Sequence, residues 1–118
     1  MEVGSRVDRR RALVSEPRHG ELWWGDLPEG GRRPFLVLTR DAAIPLLPRL
    51  LCAPVTRTIR GIPSELRVDE DDGMLEESAV SFDNIQPIPK AAFTERIGQL
   101  SPVRMQHACR ALRIAVDC

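Results

Sequence analysis

A chain of 118 residues makes one domain and leaves no room for a second sizeable core. Its hydrophobic share of 42% suits a globular protein, and with no secretion signal and no apolar run near the roughly 20 residues that cross a bilayer, a cytoplasmic protein without membrane contact is expected. Net charge is zero, from 17 bases and 17 acids, which excludes a nucleic-acid binder working by overall charge but leaves room for a local basic patch.

The charge is in fact unevenly spread. Seven arginines (32, 33, 40, 49, 57, 60, 67) face only Asp41 and Glu65 over residues 32–67, whereas 68–84 holds seven acids and no base. The first stretch offers phosphate contacts, and the second reads as a solvated face that keeps the protein soluble or shields one side.

In chain order, residues 1–18 carry Arg6, Arg9, Arg10, Arg11 and Arg18 and lack strand periodicity. They read as a flexible extension ahead of a domain over 19–118. Residues 20–25 (Gly-Glu-Leu-Trp-Trp-Gly) predict a first strand, in which only one of Trp23 and Trp24 can point inward while the other is free for contact. Pro and Gly make 26–31 a loop, and 34–39 predicts a largely buried strand. A short helical turn over 41–47 is expected to end at Pro45 or Pro48. A third strand covers 49–55, with Pro54 near its end or at an edge. After a loop at 57–61 come a half-exposed strand at 64–68, the acidic loop, two strand pieces at 78–82 and 84–88 around Asp83, and a last strand at 95–100.

Ser101 and Pro102 open the clearest helix, as cap and first residue, with Val103, Ala108, Ala111, Leu112, Ala115 and Val116 as its apolar face. The fold class is therefore α+β, mainly β: a twisted antiparallel sheet or small barrel with a C-terminal helix. Three cysteines without CxxC spacing predict neither a disulfide framework nor a zinc site. Cys52 and Cys109 read as small buried hydrophobes and Cys118 as a free terminal thiol. His19 and His107 stand too far from the other candidates in sequence for a two-histidine ribonuclease, so both read as surface residues.

An arginine entering one strand (Arg33) and a threonine leaving the next (Thr56) can meet at one end of the sheet, where a phosphate would be gripped. The elements Gly20-Glu21-Leu22-Trp23, Gly-Gly-x-Arg-Pro ending at Arg33-Pro34, Pro54-Val55-Thr56 and Ser81-Phe82-Asp83-Asn84-Ile85 appear in an order and spacing that resemble the MazF/PemK/Kid ribonuclease toxins of bacterial toxin-antitoxin pairs. The likeness runs over about residues 19–118, and Leu-Thr-Arg-Asp at 38–41 with Thr-x-x-Arg-Gly at 58–61 resembles the actinobacterial branch.

What the resemblance implies is an SH3-like barrel that forms a homodimer and cuts single-stranded RNA at short sequences without metal or cofactor. The ribose 2'-hydroxyl would attack the adjacent phosphate, leaving a 2',3'-cyclic phosphate and a 5'-hydroxyl. Arg33 and Thr56 match the family's catalytic pair, and the chemistry agrees. A planar guanidinium can hold two phosphate oxygens as charge builds on them, and a threonine hydroxyl can fix their orientation. Asp83 matches an acid that some members place near the site, to take the 2'-hydroxyl proton or orient the arginine. Its other reading is a turn aspartate. Where some relatives carry an arginine two positions earlier this chain has Ser81, which leaves the general acid unassigned.

Arg57, Thr58 and Arg60 on the loop after Thr56, and Arg32 on the opposite wall, are the candidate RNA contacts, with Trp24 to stack an unpaired base. A small cognate MazE-like antitoxin with an acidic, disordered tail is the expected partner. The alternatives on the same fold are a CcdB-like gyrase poison and a silent SH3-like binding module. The ending Ala115-Val116-Asp117-Cys118 lacks the tryptophan-glycine-isoleucine tail of the gyrase poisons.

Overall fold

Seven antiparallel strands and one long helix make up the computed structural model over residues 16–118, the part of the chain it describes. The strands are β1 (Glu21–Leu27), β2 (Gly31–Val37), β3 (Arg49–Thr56), β4 (Glu65–Val68), β5 (Ser78–Ser81), β6 (Gln86–Pro89) and β7 (Phe93–Gln99), and the helix α1 is Pro102–Val116. They pair in the order β4-β5-β3-β2-β1-β7, with β6 also on β3. The sheet is curled but not closed, because β4 and β7 remain its two ends. Of the predicted extension, residues 1–15 lie outside the described residues. Pro17 is buried, and Arg18 pairs with Asp41 at 3.6 Å.

The first hairpin is tighter than its sequence suggests. Leu27 pairs with Gly31, Asp26 with Arg32 and Gly25 with Arg33, so the loop predicted over 26–31 shrinks to residues 28–30. Gly31 makes this possible by taking φ +69, the left-handed conformation that a side chain disfavours. As a result Arg32 and Arg33 belong to a strand, with alternating and fixed directions, rather than to a free loop.

Alternation divides the sheet between two cores. Leu22, Leu36, Ala53, Val55 and Val80 pack on one side under Ala108 and Ala111 of α1, while Trp23, Phe35, Val37, Cys52 and Ile88 pack on the other. Trp23 is the inward tryptophan, 2% exposed, with its Nε1 donating to Glu21 Oε1 at 2.8 Å. Trp24 is half-buried. Burial pushes the Cys52 thiol up to about 12, so it stays an inert neutral group.

Pro54 lies near the end of β3, one of its two expected places, but not at a sheet edge, since it pairs with Phe35 in the middle of the sheet. It is tolerated because β3 changes partner there. On its other flank, residues 49–52 pair with β6 and 55–56 with β5, leaving Ala53 and Pro54 without a partner on that side. Of the two prolines expected to end the helical turn, Pro48 follows its cap Leu47, whereas Pro45 lies inside the 3-10 turn, Ile44–Leu46, whose first positions need no N–H.

Ser101 caps α1 as predicted, its Oγ accepting from the Arg104 amide at 3.2 Å. Two members of the expected apolar face, Val103 and Val116, are 60% and 46% exposed. Cys109 is also exposed rather than buried, one residue and so about 100° round the helix from Ala108. His19 and His107 are exposed.

The acidic segment bridges the open gap of the sheet. A 3-10 turn, Glu70–Asp72, is closed by a capping box between Asp69 and Asp72 and ended by Gly73 at φ +101. Asp72 is buried against Arg104 (3.1 Å). This turn lies backbone to backbone on β7, since a Cβ on Gly98 would stand 2.2 Å from the Asp72 carbonyl oxygen. Among the described residues no helix is long and apolar enough to cross a membrane.

Candidate functional site

The β2–β3 register pairs Phe35 with Pro54 and Leu36 with Ala53. Carried two residues toward the open end of the strands, it sets Arg33 opposite Thr56. Arg33 shares its sheet face with Phe35 and Thr56 with Pro54, so the two side chains emerge on the same face where the core beneath them ends. Arg32, Trp24, Pro34 and Val55 point to the other face. Two grooves result, with Arg33 and Thr56 on the wall between them.

The first groove, of about 390 Å³, is lined by Trp24, Arg32, Pro34, Val55, Arg57, Met74, Leu75, Glu76 and Ile97 together with Arg33 and Thr56. The second, of about 250 Å³, is lined by Arg33, Pro54, Thr56, Thr58, Arg60, Glu65, Ser81, Asn84 and Gln86. Arg33 also reaches a third hollow beside Leu27, Pro28 and Glu29.

The arginines here differ in what they already hold. Arg32 stacks on Trp24, 4.6 Å from the ring centroid, and donates to Glu95 Oε1 at 3.2 Å. Arg57 pairs with Glu76 at 3.5 Å. Among the described residues Arg33 and Arg60 have no ion-pair partner, so their guanidinium donors face an incoming anion unneutralised. Thr56 Oγ1 accepts the Thr58 amide at 3.1 Å. That bond orients the hydroxyl and leaves its proton for a phosphate oxygen.

Seven of the eight predicted site residues therefore meet: Arg33 and Thr56 at the centre, Trp24, Arg32 and Arg57 in one groove, Thr58 and Arg60 in the other. Asp83 does not line either groove. It sits in a 3-10 turn, Phe82–Asn84, and its Oδ2 accepts from the buried Ser64 hydroxyl at 2.5 Å. Three groups of lining residues escaped the sequence reading. Met74, Leu75 and Glu76 belong to the acidic segment, which charge alone cast as a solvated face. Asn84 ends the turn before β6 and Gln86 is the first residue of β6. Glu65 carried no signal beyond its charge, because its partners are backbone amides set by the fold of the loop.

The chain matches the family model described as PemK-like, MazF-like toxin of type II toxin-antitoxin system, over residues 18–116. It is 47% identical over 107 residues to the probable endoribonuclease MazF5 of Mycobacterium tuberculosis, covering 90% of this chain and 98% of that one. Against the probable endoribonuclease MazF2 of the same species it is 42% identical, covering 86% and 99%. Among solved structures, the Mycobacterium tuberculosis toxin MazF-mt6 superposes with a TM-score of 0.77 at 34% identity, covering 82% of this chain and 96% of that one. A mycobacterial endoribonuclease in complex with its cognate antitoxin gives 0.78 at 25% identity, covering 86% and 95%. With the matched region spanning both strands of the Arg33 and Thr56 wall, the chain belongs to the PemK-like, MazF-like toxins of type II toxin-antitoxin systems.

Proposed function

We propose that this toxin is an endoribonuclease that cuts single-stranded cytoplasmic RNA at short sequences and so arrests translation and growth. The observation that carries the reading is an unneutralised Arg33 across from a pre-oriented Thr56 at the junction of two grooves, in a chain whose relatives are named endoribonucleases. A strand laid over that wall would bring one phosphate to both side chains, with nucleotides on either side in separate grooves.

Attack by the 2'-hydroxyl on that phosphate concentrates charge on its non-bridging oxygens. The Arg33 fork holds two of them and the Thr56 hydroxyl donates to one, both contacts strengthening as the charge builds. The bond from O2' to phosphorus forms as the P–O5' bond breaks, water taking the 2'-hydroxyl proton and giving one to O5', which leaves the 2',3'-cyclic phosphate and a 5'-hydroxyl. Asp83 is assigned the task of fixing the turn through Ser64 rather than that of proton acceptor. Trp24, beside Arg32 in the first groove, stacks a base, and Arg57 and Arg60 hold flanking phosphates.

The first groove also suits the antitoxin. Trp24, Pro34, Met74, Leu75 (92% exposed) and Ile97 offer an apolar floor, and Arg33 and Arg57 stand over it, which fits a segment with apolar anchors and acidic residues. A homodimer is part of this reading, through the exposed Leu46 and Leu47 ahead of β3 and Leu51 within it.

Incubating the protein with a long mixed-sequence RNA in EDTA, then mapping the ends, tests the proposal. Discrete cuts with 5'-hydroxyl ends, lost in Arg33→Ala, are expected. Growth arrest without any RNA cut would replace it with a protein-binding poison.

A further inference from the structure

The loop between β3 and β4 folds around a carboxylate. Glu65 Oε1 accepts two consecutive backbone amides, Arg60 N at 3.0 Å and Gly61 N at 3.2 Å. Both N–H groups point at the one carboxylate oxygen, and Gly61, at φ +70, turns the chain immediately after them. Successive amides converging in this way form a concavity for an anion, of the kind that holds phosphates. Here the anion is the protein's own. Glu65 also lines the second groove with Arg33, Thr56 and Thr58, and among the described residues it has no arginine or lysine within ion-pair distance.

The end of the loop next to β4 has anchors besides this carboxylate. Glu65 N donates to Ile62 O at 3.0 Å, Phe82 N to Ser64 O at 3.1 Å, and the Ser64 hydroxyl to Asp83 at 2.5 Å. These three bonds fix residues 62–65 to β4 and to the turn after β5. The Glu65 side chain instead puts a negative charge in the cleft where RNA phosphates would lie.

We propose that the amides of Arg60 and Gly61 are a second phosphate subsite for the RNA strand, which Glu65 occupies until a phosphate displaces it. The subsite rests on the ribonuclease reading above for the identity of its occupant. A phosphate there would gain both amides and the Arg60 charge, and the freed Glu65 would turn to solvent, so binding of the strand is traded against a pre-formed internal bond. Such a site takes an extended polynucleotide that fills both positions and discriminates against small anions that reach only one.

The test is amide NMR of the full chain titrated with inorganic phosphate, in wild type, Glu65→Gln and Glu77→Gln. The glutamine keeps an acceptor for the loop but forfeits the charge-assisted part of the bond. The Arg60 and Gly61 amides are then expected to respond at about tenfold lower phosphate than in wild type. Glu77 pairs with Arg67 outside both grooves, so the same gain in Glu77→Gln would reduce the effect to overall charge and overturn the proposal. Equal responses in wild type and Glu65→Gln would also overturn it. So would disordering of the loop in Glu65→Gln before phosphate is added, which would make Glu65 a structural strap. A second titration uses a single-stranded oligodeoxynucleotide that cannot be cut. Movement of the same two amides assigns the subsite to a polynucleotide, and binding that leaves them unmoved overturns that assignment. These titrations need no cleavage, so a protein that cuts no RNA but shows the phosphate response loses the ribonuclease reading and keeps the anion subsite.

Discussion

Arg33 and Thr56 divide the work unequally, and the difference is measurable. Arg33→Ala removes the fork and the charge together and is expected to lower kcat by about 100- to 1,000-fold, as loss of a main oxyanion donor does. Arg33→Lys keeps the charge but not the two parallel bonds, so it should recover only part of that. Thr56→Val removes one hydroxyl donor to a charged group, for a loss of about ten- to a hundredfold. Cleavage rates on one RNA check the order, and a Thr56→Val loss equal to that of Arg33→Ala would contradict it. The positions of Arg33 and Thr56 were legible as the entrance of one strand and the exit of the next, while the catalytic role proposed for them comes from the resemblance. Asp83 was legible as a turn aspartate, one of its two readings, but its direction was not, because the hydrogen bond that decides it comes from Ser64, nineteen residues earlier.

Whole elements were legible where a local rule governs them. The Ser101 cap and Pro102 start of α1 and the alternation of Trp23 and Trp24 are properties of neighbours in sequence. Pro54 was legible as a residue near a strand end but not as one inside the sheet, because β3 changes partner beside it, which only the tertiary pairing reveals. The acidic segment misled for a similar reason. Its charge suggested a solvated loop, yet Asp72 is buried on Arg104 and the turn rests on Gly98, which brings Met74 and Glu76 to the first groove. Gly98→Ala would force the two backbones apart. A loss of about 1–3 kcal/mol in unfolding free energy is expected from such overpacking, with weaker RNA binding as the groove wall shifts. Denaturant melts and an affinity measurement check it, and an unchanged midpoint would show that the turn gives way freely.

At the scale of the molecule, the described residues present apolar side chains at Leu46, Leu47 and Leu51 and on the outer flank of α1 at Val103 and Ile114. The dimer reading places the subunit contact at the first group. Replacing Leu46 and Leu51 by lysine is expected to yield a particle of single-chain mass in sedimentation, where the unaltered protein sediments as two chains. Substitutions at Val103 and Ile114 should leave the mass unchanged.

Because β3 is the strand that both β5 and β6 lean on, and β2 pairs along its other flank, neither half of the sheet can open without releasing it. Thr56 is thereby wired into a single melting unit, and a fragment ending before β5 would have no partner for the end of β3 that carries it. Amide hydrogen exchange at Val55 should therefore proceed only through global unfolding. The poison would then be either wholly present or wholly absent, and a protease that nicks the fold would disarm it rather than leave a half-active remnant.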